Sequence, residues 1–165
     1  MAISAHLLVD GIEGESKDAN REKHIDVLSY SMGVSNPPSP LGGGFSKGKA
    51  TPSDFNFMLA QGRSSVNLEQ FVETGQHVEN VVLKLSKSIG DVAGVQEYMT
   101  VTFKDCFISH HQESGSGGGD ILDSVSITYS YKKTEYSEQK TAGGKLENAA
   151  NAEWDFKSNS QTKSA

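Results

Sequence analysis

Cysteine, tryptophan and proline are scarce in this chain, and basic residues are fewer than acidic ones. Of its 165 residues, one is Cys, one is Trp and four are Pro. Because the single cysteine, Cys106, has no partner in the chain, an internal disulfide is excluded. The formal net charge of −6, with no basic block, argues against nucleic acid as the main partner.

Long apolar runs are also missing. No Lys or Arg precedes the very short apolar run within residues 1–10, so the sequence predicts neither a signal peptide nor a membrane span. If the protein leaves the cell, we expect it not to use the general export route. A chain of this length is most simply a single domain, residues 1–165, that buries about 70% of its unfolded surface.

The strongest pattern lies between Glu97 and Tyr136, where two runs of alternating apolar and polar residues flank a glycine-rich break at 114–120. The apolar positions are Met99, Val101, Phe103 and Phe107 in the first run and Val125, Ile127, Tyr129 and Tyr131 in the second. Alternation at period two predicts half-buried strands, and the flexible break predicts that they form a long antiparallel hairpin. One face of this hairpin is apolar and the other is rich in hydroxyl groups.

Further strands are predicted at 3–9, 25–35, 54–60, 78–86 and 152–157, with a surface connection at 14–23 and a flexible tail at 158–165. One short helix is predicted between Ser64 and Gly75. Its apolar stripe is Leu68, Phe71 and Val72, its cap is Ser64, Ser65 or Asn67, and Gly75 ends it. Together these elements predict a mainly β fold, an antiparallel two-sheet β-barrel or sandwich with one short α-helix at its side.

Candidate chemistry is weak throughout. His110, His111, Glu113 and Asp120 have metal-ligand side chains, but adjacent strand residues point to opposite faces, so a solvated strand end is favoured over a metal site. The glycine runs at 42–44 and 114–119 do not fit a phosphate-binding motif. Cys106 has no neighbouring cue for activation and is interpreted as structural. We therefore predict no catalytic, cofactor-binding or metal residues, and no enzyme.

Several segments, in order along nearly the whole chain, resemble the haemolysin-coregulated protein (Hcp) family. These segments are 14–18, 25–33, 65–68, 97–98, 104–109, 136–140, 154–155 and Asn159. The chain departs from the family pattern at Arg21, where histidine is frequent, at His24, where tryptophan is, and at Met32, where an aromatic residue is common. The first two departures lie in or beside a predicted surface connection, and the third exchanges one large apolar group for another.

The resemblance implies a subunit of the inner tube of the bacterial type VI secretion system. It implies homohexameric rings that stack head to tail into a tube, a compact β-barrel with a helix at its side, and effector proteins held in the lumen. The implied partners are other copies of the chain, a valine-glycine-repeat spike protein, the sheath and the effectors. The implied location is cytoplasmic before firing and extracellular afterwards. A monomeric secreted β-sandwich that binds a ligand such as a sugar is the main alternative, and a small metal-dependent hydrolase is a weaker one.

Two segments give hypotheses about such a tube. The loop at 36–48 is too long for a plain connection, so we expect it to reach a neighbouring ring. Its candidate contact residues are Asn36, Pro37, Pro38, Pro40, Leu41 and Phe45. In the strand at 25–35, one face (Asp26, Leu28, Tyr30, Met32, Val34) is expected to pack in the core. On the opposite face, Ser29, Ser31 and Gly33 are either lumen-facing or ordinary exposed sheet.

Overall fold

One long strand, β10 (Val95–Ser114), pairs with three other strands of the molecule. The computed structural model describes residues 3–40, 44–46, 48–88, 95–139 and 146–161. The other elements are β1 (Ile3–Val9), β2 (Ile25–Val27), β3 (Ser29–Ser31), β4 (Val34–Ser35), β5 (Ser39–Pro40), β6 (Phe45–Ser46), β7 (Thr51–Pro52), β8 (Phe55–Ala60), α1 (Arg63–Thr74), β9 (His77–Ser88), β11 (Leu122–Thr128), β12 (Tyr131–Gln139) and β13 (Leu146–Asp155).

The main sheet closes on itself. Its strand order is β2-β1-β9-β10-β11-β8-β3, with every pairing antiparallel. Only Leu28 separates β2 from β3, and its backbone N–H donates to the carbonyl of Met58 at 2.8 Å. The first and last strands of the order are thus one bent segment, which makes the sheet a barrel and confirms the predicted fold class.

The predicted long hairpin is also confirmed. β11 and then β12 pair with β10 in one continuous line, because Thr128 lies opposite Phe107 and Tyr131 lies opposite Lys104. The N–H of Ser130 donates to the carbonyl of Lys104 across the short break between the two strands. Past this break, β12 pairs with β13 to form a hairpin, residues 131–155, that extends the sheet beyond the barrel.

Aromatic rings fill the centre of the barrel. Phe55 lies between Phe57 and Phe103, with ring centroids 5.5 Å and 4.9 Å away. Phe103 also contacts Tyr129 at 4.6 Å. These three phenylalanines are almost fully buried, and burying each such side chain stabilises the fold by about 1.5–3 kcal/mol. Leu68, fully buried, is the contribution of α1 to the same core.

Phe107 does not share the buried face of Val101 and Phe103, contrary to the prediction. The alternation reverses phase at Asp105, whose φ of +54° lies in the left-handed region, so that Cys106 is buried and Phe107 is 44% exposed. A single residue in the left-handed conformation shifts the alternation by one position, so that every following side chain of the strand points to the other face.

The predicted strand at 25–35 is three short strands, and its predicted core face is wrong in part. Ile25 and Val27 are buried, whereas Asp26, Leu28 and Val34 are exposed. The cause is the bend at Leu28, where the chain leaves β1 and joins β8, so that two consecutive side chains point outward. Of the expected core residues, Met32 packs against the core and Tyr30, 38% exposed, lies 6.3 Å from the Phe55 ring.

The helix lies where the sequence predicts it, but its N-cap is Gly62 rather than Ser64, Ser65 or Asn67. Ser65 sits three residues into the helix, and its hydroxyl oxygen accepts a hydrogen bond from the Gly62 N–H at 3.1 Å. Glu15, from the 10–24 connection, accepts from the Arg63 N–H at 3.3 Å. A free helix N–H group is therefore satisfied by a distant carboxylate, which local sequence does not reveal.

The start of the predicted tail is ordered. Ser158 donates its N–H to the Asp155 carboxylate at 3.2 Å, and the backbones of Asp155 and Ser160 exchange hydrogen bonds. Residues 158–160 thus form a turn against the end of β13, while residues 162–165 lie outside the described residues.

The phase reversal at Asp105 predicts very different costs for two substitutions in β10. Phe103→Ala should lower the free energy of unfolding by about 3–5 kcal/mol, because it leaves a cavity in the aromatic core. Phe107→Ala should lower it by about 1 kcal/mol or less, since Phe107 is 44% exposed and lies outside the core. Urea denaturation of both variants measures the difference, and equal losses would contradict the reversal.

Candidate assembly surfaces

The long loop of the sequence is the end of a two-stranded arm, which is described over residues 34–40, 44–46 and 48–52. At its base Val34 lies opposite Pro52, and further out Pro40 lies opposite Phe45. Gly48 permits the close approach of the two halves, because a Cβ there would lie 2.4 Å from the carbonyl oxygen of Pro37.

Most candidate contact residues of this loop lie along the arm. Asn36, Pro37, Pro38 and Pro40 are exposed on its first half, and Phe45 starts its return strand. Leu41 lies outside the described residues. The prolines lack a backbone donor, so this half of the arm offers few N–H groups for pairing with another strand.

A polar, hydroxyl-rich face covers one side of the barrel. The register aligns Ser29 with Met58 and Ser124, and Ser31 with Asn56 and Ser126. The side chains of Asn56 and Ser126 are hydrogen-bonded to each other. We call the outward side of β3, β8 and β11 the serine face. It carries the candidate lumen residues Ser29 and Ser31, both exposed.

Gly33 does not belong to the serine face. It lies at the base of the arm, where its carbonyl accepts the Ser53 N–H at 2.9 Å and the Ser53 hydroxyl at 3.0 Å. Conversely, sequence reasoning missed Asn56 as a member of this face. The alternating hydroxyl groups of 124–128 indicate a polar face on β11, but they do not show which strand lies beside it. Asn56 joins that face through the pairing of β8 with β11, which lie about seventy residues apart in the sequence.

The connection at 10–24 is partly buried rather than a simple surface loop. Arg21 is 3% exposed, and its guanidinium donates to the Ser86 hydroxyl at 2.6 Å and to Asp18 at 3.0 Å. A third acceptor, Glu97, lies 3.5 Å away. The arginine, which stands where histidine is frequent in the resembled family, therefore fastens this connection across β9 and β10.

The suspected metal ligands are not brought together. His110 and Asp120 are exposed, Glu113 accepts a hydrogen bond from Gln61, and His111 lies 3.5 Å from the buried carboxylate of Asp123. Among the described residues, no group of three or more His, Cys, Asp or Glu is placed to hold a metal ion. The metal-dependent hydrolase alternative therefore has no support from the geometry.

Cys106 is a structural thiol, as predicted. It is fully buried in β10, and burial raises its pKa to about 12. The thiolate, which is the nucleophilic form, is therefore absent at neutral pH.

An ion-pair network surrounds Asp105. Its carboxylate accepts hydrogen bonds from Lys157 and from the Ser130 hydroxyl, and lies 2.6 Å from Nε2 of His77. These contacts, that with Lys157 foremost, hold the pKa of Asp105 well below its usual range. The residue types are those of a catalytic triad, but Ser130 contacts the aspartate rather than the histidine, so no base activates the hydroxyl. The network connects Lys157, just after the end of β13, to His77 at the start of β9.

Sequence and structure comparisons give one answer along the whole chain. The family model described as "Type VI secretion system effector, Hcp" matches residues 6–136. Protein hcp1 of Pseudomonas aeruginosa is 31% identical over 163 residues, which are 98% of this chain and 99% of that protein. The chain belongs to the Hcp family.

Solved structures agree with that assignment. A type six secretion system protein aligns with a TM-score of 0.87 at 25% identity, covering 98% of this chain and 100% of that one. Hcp1 from Salmonella typhimurium aligns with a TM-score of 0.75 at 27% identity, with the same coverage. The resemblance found in the sequence is thus confirmed, and the chain is an Hcp protein of the type VI secretion system. In the described residues no helix is long and apolar enough to cross a membrane.

The Asp105 network predicts a pH-dependent contribution to stability. Since the folded-state pKa is below the unfolded value of about 4, the contribution is present at neutral pH and is lost as the pH falls below about 4. Asp105→Asn removes the charge and tolerates the positive φ. The gap in free energy of unfolding between wild type and this variant should narrow from pH 7 to pH 3.

Asp120→Asn is the matched control, because Asp120 is exposed in the 115–120 turn. Its free energy of unfolding should follow the wild type at both pH values. If the difference in free energy of unfolding between wild type and Asp105→Asn is the same at pH 3 as at pH 7, the charge of Asp105 does not contribute to stability.

Proposed function

We propose that this Hcp protein is the subunit of hexameric rings that stack into the secreted tube of a type VI secretion system. The observation that carries this proposal is the match of the complete fold, at a TM-score of 0.87, to a type VI secretion protein. In this role the chain is made in the cytoplasm and leaves the cell inside the contracting sheath, behind a valine-glycine-repeat spike. It carries effector proteins in the lumen, and it performs no catalysis.

Ring formation uses the strand edge that the barrel does not cover. Among the described residues β12 is the strand that pairs with β13, and the other edge of β13 carries a bridge from Asp155 to Ser160 but no second strand. An unprotected edge of this length favours pairing with another chain. A contact between two different surfaces of identical copies closes into a ring when the rotation allows it, which leaves no edge exposed.

Ring stacking uses the arm. Among the described residues its two outer strands form two residue pairs, and they belong to a sheet separate from the barrel. An exposed hairpin with so few contacts gains order and buried surface by packing against a neighbouring ring.

The serine face lines the lumen. Its side chains are mostly small and polar, and those of Asn56 and Ser126 are hydrogen-bonded to each other, so the wall offers a passing protein few groups to hold it. This supports the interpretation of Ser29 and Ser31 as lumen-facing, whereas Gly33, at the base of the arm, would lie at the margin of the wall.

Shortening residues 36–48 to a tight turn should separate the two assembly steps. In native mass spectrometry at micromolar concentration, both wild type and the shortened chain should appear as six-copy rings. In negative-stain images only the wild type should form stacks, and secretion should be lost with them. Monomers and dimers alone in the wild type would refute the ring, and normal secretion of the shortened chain would refute the role of the arm.

Ser31→Trp tests the lumen. Because Ser31 is exposed, the variant should keep the ring mass and the melting temperature of the wild type, whereas a core position would lose about 1–3 kcal/mol through overpacking. Retention of co-expressed effector should fall, because the bulky indole side chains narrow the lumen. Ser116→Trp, in the exposed 115–120 turn, is the matched control. Equal effector retention by the two variants would show that Ser31 does not face the cargo.

A further inference from the structure

Residues 13–24, between β1 and β2, form a loop that closes on itself, and we call this loop the strap. The backbone N–H of Gly14 donates to the carbonyl of Lys23 at 2.8 Å, and that of Ser16 donates to the carbonyl of His24 at 3.1 Å. Gly14 is packed tightly there, because a Cβ on it would lie 2.1 Å from the His24 carbonyl oxygen. The two ends of the strap are therefore held together, and its tip rests on the outside of the barrel.

Polar contacts hold the tip of the strap on the barrel. The guanidinium of Arg21, which is 3% exposed, donates to the Ser86 hydroxyl of β9 at 2.6 Å and lies 3.5 Å from Glu97 of β10. The one apolar side chain of the strap, Ala19, is exposed. A segment that buries no apolar side chain opens at a lower free-energy cost than the core does. Its closure depends instead on the balance of charge beneath it.

A histidine of β1 lies under the strap. Leu7 points into the core, so its neighbour His6 points outward, yet His6 is 6% exposed. Its Nε2 lies 3.2 Å from the carboxylate of Asp26. Its Nδ1 is buried and has no hydrogen-bond partner in the part of the chain that the structure describes. These surroundings fit a neutral ring whose N–H is on Nε2.

A second proton on His6 is therefore unfavourable while the strap is closed. It would create a buried N–H at Nδ1 without an acceptor, and a buried charge. Burial lowers the pKa of His6, and the surrounding charges act in both directions: Asp26 and Asp18 favour the proton, whereas Arg21 and His24 oppose it. Asp26 is largely exposed, so water screens its attraction for the imidazolium.

The carboxylates on the barrel side of His6 are already paired with other cations. Lys84 of β9 lies directly opposite His6 and pairs with Glu97 at 3.3 Å. Glu97 also faces Arg21, whose other carboxylate partner is Asp18 at 3.0 Å. A charged His6 would thus add a third cation to a site that is balanced without it. Lifting the strap removes Arg21 and admits water, so the open form binds this proton more tightly.

We propose that the strap is an acid-sensitive latch: uptake of a proton by His6 releases residues 13–24 from the outer face of β1 and β9 while the barrel stays folded. Because the pKa of His6 is lower in the closed form than its ordinary value of about 6.5, closure is fully favoured above that pH and weakens as the pH falls below it. The inference concerns the fold of the single chain, goes beyond the proposed function and does not depend on it.

Hydrogen exchange with mass spectrometry measures the opening in the intact chain. Rates are compared at pH 7.5 and pH 5.5, after division by the intrinsic exchange rate at each pH. Peptides that cover 13–24 should lose protection by about threefold or more at the lower pH, whereas peptides of β8 should keep theirs. Unchanged protection in the strap would overturn the proposal, and so would an equal loss in β8, which would indicate loosening of the whole barrel.

His6→Gln tests the titrating group. The Gln amide nitrogen can donate to Asp26 as Nε2 does, and it takes up no proton in this range of pH. The strap of this variant should therefore show equal protection at the two pH values. His110→Gln is the matched control, because His110 is exposed on β10, and it should respond as the wild type does. A wild-type response in His6→Gln would show that another group is titrating.

Asp26→Asn tests the same site without changing the histidine. Asn still accepts a hydrogen bond from Nε2, but it removes the charge that favours the imidazolium. The pH at which half of the loss of protection occurs should therefore fall, whereas Asp120→Asn, in an exposed turn, should leave it unchanged. A midpoint for Asp26→Asn that stays the same or rises would contradict the role of His6, whatever the state of the His6→Gln variant.

Discussion

The two edges of β10 are the constraint on which the rest of the structure depends. A strand pairs on two sides only, and β10 uses one side for β9 and the other for β11 and then β12. The barrel and the protruding hairpin therefore share one twenty-residue backbone. Because β12 takes up the line of pairing where β11 ends, neither unit can shift its register without disturbing the other.

The order of the elements could be predicted from the sequence because period-two alternation depends only on neighbouring residues. The prediction of which side chains face inward fails where the backbone changes the alternation. Asp105, with its positive φ, and the bend at Leu28 each reverse which side chains face inward, and neither residue type announces such a change. Alternation alone therefore places Phe107 and Leu28 on the inward face, although both are exposed.

The candidate surfaces also contain two kinds of residue: those that the alternation of one strand places together, and those that only strand pairing brings together. Ser29 and Ser31 could be placed on one face from the alternation of their own strand, and the resemblance to the Hcp family implies a lumen that such a polar face could line. Lys132 and Trp154 could not be joined in this way, because twenty-two positions of chain separate them and their pairing depends on the register of β13. Gly33 lies beyond β3, which ends at Ser31, so the alternation of that strand does not reach it.

An assembling subunit gains from leaving some groups unsatisfied. A polar group already paired in the free chain contributes equally to free and assembled states, so it cannot favour assembly. Burial lowers the pKa of Lys132, and the buried indole nitrogen of Trp154 has no hydrogen-bond partner among the described residues, so both groups reduce the stability of the chain. The serine face shows the opposite arrangement, with Asn56 and Ser126 bonded to each other. A face whose polar groups are already bonded to one another offers few free donors or acceptors to another molecule, whereas a buried polar group without a partner destabilises the chain that carries it.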